Sequence, residues 1–281
     1  DFYLCRSCGR SYSNEAGTTE INLESVTIPS TGHTFNGENG DCSVCGGSHM
    51  FSYAGTSADP FQISNADDLY WFAAWVNGTY TPEEGETAVT HQDACAVLMN
   101  DITVNTGVLD ADGKLASDVS GFSEWTPIGN NSNQYNGTFD GQGHTVSGLY
   151  FNNSETYYVG LFGYICGKIS NVGIVDSYFK GSYYVGGVCG YCYNGSIKYC
   201  FNTGAISGID NMGGLCGFAA SGNIENCYNA GTVSGSGQKV CGVCGNNVVT
   251  YITNCYFDSN KCDKDAVGNN SKAFVTKAEG K

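Results

Sequence analysis

A glycine that returns every 27 or 28 residues constrains this chain more than any other feature. Gly163, Gly190, Gly217 and Gly245 close the segments "YVGLFG", "VGGVCG", "MGGLCG" and "VCGVCG", at spacings of 27, 27 and 28. A second anchor follows each one: "ISNV", "IKYC", "IENC" and "ITNC" begin at Ile169, Ile197, Ile224 and Ile252. "VSGL" at Val146 supplies a shorter, earlier rung, and "NTGAISG" and "NAGTVSG" add a third extended piece per repeat. Three strand-like pieces with glycine or asparagine at the corners are what one coil of a parallel β-helix requires. Equivalent side chains then stack one coil apart, about 4.8 Å, so five coils predict a rod of about 25 Å. One coil buries too little to stand alone, so the repeats must stack.

Composition agrees with an all-β class. Forty glycines against four prolines, with nineteen tyrosines, favour short strands and tight turns over helices. Twelve basic against twenty-seven acidic residues give a net charge of −15. Such a surface repels the phosphates of nucleic acid and anionic lipid, so neither is expected as a partner. No apolar run reaches the length of a membrane span. The chain opens on Asp1-Phe2-Tyr3 without a signal peptide and closes on Ala278-Glu279-Gly280-Lys281, so it reads as a piece of a longer secreted chain.

The segments "VGLFG", "VGGVCG", "GGLCG" and "VCGVCG", each followed by text like "NIENCYNAGTVSG", resemble the GLUG-motif family of bacterial extracellular proteins, over about residues 51–262. That resemblance implies a right-handed β-helix on a secreted or cell-surface protein, in some members adhesive and in others attached to peptidases that cut immunoglobulin A. It does not imply catalysis in this segment. The expected layout is a zinc-ribbon-like segment (1–50), a capping helix with the first coil or coils (51–137), the repeats (138–262) and an extension (263–281).

The open end of a β-helix exposes unpaired backbone and core side chains, so a cover is expected. "SNADDLYWFAAWVNG" predicts one: an amphipathic helix with Ser64 or Asn65 as N-cap, Leu69, Phe72, Ala73 and Val76 on its buried face, and Gly78 at its end. "ACAVLMNDITV" (94–104) reads as the strand joining it to the first coil.

Fifteen cysteines cannot all pair internally, so they are sorted by position. Cys5 with Cys8 and Cys42 with Cys45 form two C-x-x-C-G knuckles, the four sulfurs of a structural zinc site. The loop between them is longer than is common. His33 in "GHTF" is an alternative ligand, and disulfides or free thiols are the alternative to zinc. Zinc would hold together a segment too small to build a core. Cys189 and Cys192 also spell C-x-x-C. Aligning the coils, however, sets Cys189 with Phe162, Cys216 and Cys244, and Cys200 with Val172, Cys227 and Cys255. Slots that accept Phe or Val are apolar core, where cysteine acts as a small hydrophobe. Cys192 aligns with Ile165, Ala219 and Asn247 and is expected to point elsewhere than Cys189.

No catalytic set is legible. Asp140 near His144 in "FDGQGHTVSG" lacks the second carboxylate a glycosidase needs, and reads as a turn. "DADG" (110–113) reads as an Asp-Gly turn rather than a calcium loop. His91 and Cys95 in "HQDAC" lack an orienting third partner. The tyrosines of the repeats, among them Tyr157, Tyr158, Tyr183, Tyr184, Tyr191, Tyr199, Tyr228 and Tyr256, suit stacking on sugars or proteins, or simple packing at the corners. The expected function is therefore non-catalytic: adhesion or binding of a glycan or extracellular protein. A polysaccharide lyase or hydrolase on the same fold and a passive stalk are the alternatives.

Overall fold

The computed structural model describes residues 54–80 and 89–268, together with five short strands within the first 53 residues. The main body is an all-β parallel solenoid with one helix. Its longest ladder is seven rungs deep and runs Phe61, Ala96, Phe139, Ile169, Ile197, Ile224, Ile252, each side chain stacked in register on the last. A second face stacks Ile102, Val146, Ile174, Asn202, Asn229 and Phe257. A third is four strands deep, through Phe151, Phe179, Ile206 and Val233, and marks four full turns. A fourth carries Val185, Met212 and Val240. The inward residues of all four faces are buried in one continuous core.

The repeated glycine earns its place sterically. At Gly217 a Cβ would sit 2.5 Å from the Val185 nitrogen and 2.6 Å from the Tyr184 carbonyl carbon, and at Gly190 it would lie 2.6 Å from the Tyr184 oxygen. Backbones pass too closely at this corner for any side chain. The corner after the second anchor solves a different problem, a left-handed backbone. Asn171, Asn226 and Asn254 occupy it with φ between 51° and 55°, which asparagine tolerates best among residues with a side chain. Inside, the asparagines of "NTG" and "NAG" replace apolar rungs without an unsatisfied amide. Asn202 Nδ2 donates to Asn229 Oδ1 at 2.8 Å, and each side chain closes onto the backbone of Gly204 or Gly231.

The helix spans Ala66–Asn77 and starts at Asn65, whose Oδ1 accepts from the Asp68 backbone at 3.1 Å. Gly78 ends it in the left-handed conformation at φ 67°. Leu69, Phe72, Ala73 and Val76 are the buried face, as their spacing predicts. Phe72 packs against Tyr135 and Phe139, while Asn77 Nδ2 donates to the Pro127 carbonyl and its Oδ1 accepts from Gly129 N. The cap is thereby fastened to the lead-in "WTPIGN". Ala96–Leu98 and Ile102–Thr103 supply the joining strands.

Within the first 53 residues, Tyr3–Cys5 pairs antiparallel with Arg10–Tyr12, which pairs with Glu20–Ile21, and Phe35–Asn36 pairs with Asp41–Cys42. Cys8, Cys45 and His33 lie outside the described residues, as do the side chains of Cys5 and Cys42.

Candidate functional site: an aromatic face and two thiol columns

The solenoid brings together tyrosines that sequence order scatters. Three columns run side by side along the outer surface. Tyr157 stacks on Tyr183 with ring centroids 5.4 Å apart and Tyr158 on Tyr184 at 5.2 Å, while Tyr164 packs at a tilt of 41° on Tyr191 at 4.7 Å, which in turn stacks on Phe218 at 4.8 Å. Tyr184 meets Tyr191 and Phe218 edge-on, locking the second column to the third. Offset and edge-on contacts of this kind add to the area the rings bury. Burial raises the phenols of Tyr158 and Tyr191 and pushes Tyr164 up to about 12, so these hydroxyls stay protonated and able to donate. Tyr157 forms the outer rim, 48% exposed.

Strain marks the same patch. Tyr158 and Tyr184 both hold a left-handed backbone, φ 63° and 59°, at a corner where the next coil has Asn211. For a non-glycine residue that conformation costs about 1–2 kcal/mol, and asparagine pays less than tyrosine. The rings are held there against local preference. Tyr164 belongs to the face although no sequence signal set it apart; only its register opposite Tyr191 places it there.

The cysteines form two columns in the core. Cys189, Cys216 and Cys244 stack in register below Phe162, and each thiol donates to the carbonyl two residues ahead, at 3.0, 3.2 and 3.2 Å. Cys200, Cys227 and Cys255 form the second column, each donating to the carbonyl two residues back. Burial raises the Cys189 and Cys216 thiols and pushes Cys192 up to about 12. These sulfurs are packing groups, not nucleophiles. One expectation is corrected: Cys192 does not point away from Cys189. Both are buried within the strand Cys189–Tyr193, with Tyr191 only partly buried between them.

The remaining candidates resolve into local structure. Asp110 Oδ1 accepts from the backbone of Asp112 and Lys114, an aspartate turn within "DADG". His91 stacks face to face on Trp75 at 3.6 Å, beneath the capping helix. Asp140 Oδ1 accepts from Gln142 N and Asn171 Nδ2, whereas His144 Nδ1 lies 3.4 Å from Asp101. Among the described residues no group of three His, Cys, Asp or Glu side chains is arranged to hold a metal, and no helix is long and apolar enough to cross a membrane.

The class is therefore a helix-capped parallel β-solenoid with an aromatic outer face. Two stretches, residues 181–207 and 210–234, match the GLUG motif. Halomucin of Haloquadratum walsbyi is 28% identical over 206 residues, 70% of this chain, and a provisionally named Gly-rich membrane protein of Evansella cellulosilytica is 36% identical over 56 residues, 19% of it. The chain spans only 2% and 6% of the lengths of these two relatives. Among solved structures, a provisionally titled immunoglobulin A1 protease from Bacteroides ovatus superposes with a TM-score of 0.52 at 18% identity, covering 83% of this chain and 88% of that one. At that identity the likeness is one of fold.

Proposed function

We propose that this chain is a non-catalytic binding segment of a secreted or cell-surface protein, and that the tyrosine face is its contact with an extracellular glycan or protein. The aromatic columns carry the reading. Seven rings packed edge to edge, two of them on strained backbone, exceed what a rod needs to stay folded. Flat rings with donor hydroxyls suit sugar faces and protein hot spots alike. The GLUG motifs, and a relative whose name places it at a membrane, support the surface location. An array of glycans and matrix proteins probed with the chain should yield a binder that Tyr157→Ser/Tyr183→Ser weakens at least about tenfold, with Tm nearly unchanged. Equal binding by the double variant would leave the passive-stalk reading.

The knuckles belong to the same proposal as a structural zinc site of Cys5, Cys8, Cys42 and Cys45. Support comes from chemistry and strand placement. Cys5 ends a strand opposite Arg10 and Cys42 ends one opposite Phe35, so each knuckle starts where a short antiparallel pair stops. Four thiolates suit Zn²⁺, which would stabilise a segment with little core. Elemental analysis of the purified chain should find about one zinc per molecule, lost in Cys42→Ser along with thermal stability. Metal-free protein with an unaffected Cys42→Ser variant would remove the site.

A further inference from the structure

A second feature lies on another side of the solenoid, away from the three columns. A shallow groove of about 350 Å³ is lined by Gln142, Asn171, Tyr199 and Phe201 around Gly143 and Gly173. Gly173 stands between Thr145 and Phe201 in the rungs, and the Phe201 ring lies over it in the space where a Cβ would stand. Tyr228 backs that ring in a parallel stack at 5.0 Å. The floor is thus a supported aromatic plate.

The walls are polar. Asp140 holds the Asn171 amide through Nδ2 at 2.8 Å, which turns its Oδ1 away from that bond. That Oδ1, the Gln142 amide and the Tyr199 hydroxyl make no hydrogen bond to another protein group among the described residues. Tyr199 carries the most telling observation. It stands at φ 56° on the corner that Asn171, Asn226 and Asn254 occupy in the other coils, and it is 59% exposed. A ring is kept in a left-handed backbone where asparagine would relax it, and among the described residues it packs against no other ring.

We infer that this groove is a subsite for one neutral sugar ring of an extracellular glycan, stacked on Tyr199 and Phe201 and hydrogen-bonded by Gln142 and Asn171. The volume is at the lower end for a small-ligand site and suits a single ring. Amide groups can both donate to and accept from ring hydroxyls. Charge selects against acidic sugars: Asp140 stands at the rim, Asp101 lies beside His144, and the whole chain carries −15. The inference does not depend on the tyrosine face.

Saturation-transfer NMR tests it, with the whole chain and three probes: methyl β-galactopyranoside, N-acetylglucosamine and galacturonate. Saturation is expected for at least one neutral probe and not for galacturonate. Tyr199→Asn should raise Tm by a few degrees, about the shift expected for relieving one strained residue, while cutting saturation at least tenfold. Tyr157→Ser/Tyr183→Ser should leave it unchanged. No saturation of any probe, a preference for galacturonate, or full saturation in Tyr199→Asn would overturn the subsite. Loss only in the Tyr157/Tyr183 variant would also overturn it, and would transfer sugar binding to the tyrosine face.

Discussion

Gly217→Ala is expected to cost more than about 4 kcal/mol, an exceptional loss for adding one methyl group to a surface-length repeat. The new Cβ would lie within 2.7 Å of the Val185 nitrogen, the Tyr184 carbonyl carbon and the Gly190 oxygen, all of them backbone atoms. A side chain in the way can rotate, but backbone fixed in two parallel ladders cannot. Relief would require the coils to part, breaking registers that run through Cys189–Cys216 and Val185–Met212. Urea denaturation followed by circular dichroism measures the loss. Gly121→Ala is the control: nothing lies within 4 Å of its Cβ position, so its change should stay within about 0.5 kcal/mol. Similar values for the two variants would mean that the corner glycine is not a steric requirement.

Phe139→Ala should cost about 3–5 kcal/mol. Phe139 is fully buried on the longest ladder, between Ala96 and Ile169, and its ring meets Phe72 of the capping helix at 6.2 Å and Phe162 of the segment "YVGLFG" at 5.2 Å. Truncation opens a cavity where three parts of the chain join, and the ladder on either side prevents collapse into it. The cap should loosen from the rod, so protease cleavage between residues 54 and 80 should rise with the fall in stability. Thr138→Ala, one position away and facing outward, should change stability by no more than about 0.5 kcal/mol. A Phe139→Ala loss below about 1 kcal/mol would show that the cap is held mainly by its polar ties at Asn77.

Much of the fold was legible because a solenoid repeats its physics with its sequence. Ile169, Ile197, Ile224 and Ile252 align on paper and stack in space for one reason: each coil must place an apolar group over the last. The capping helix was legible for local reasons, an N-cap, an apolar stripe and a terminal glycine. The lead-in was harder. Phe61 and Ala96 are full rungs of the same ladder, yet a helix stands between them and they carry no repeat. Cys192 was misplaced for a related reason. Its coil counterparts Ile165, Ala219 and Asn247 carry no second cysteine, so it was set beyond the Gly190 corner, whereas the burial pattern puts it inside with Cys189.

The candidate sites divide in the same way. Sequence counted the tyrosines and put them at corners, where packing and binding look alike. Their sorting into three stacked columns, with Tyr164 included and Tyr199 set apart over a groove, depends on which coil lies above which.

By itself, then, the sequence determined a parallel solenoid with a helical lid and an apolar role for its repeated cysteines, because periodicity and capping are local signals. The tertiary structure alone decided which rings share a surface and where Gln142, Asn171, Tyr199 and Phe201 meet around one groove. It also decided which residues bear left-handed strain, because those are relations between neighbouring coils that no single repeat contains.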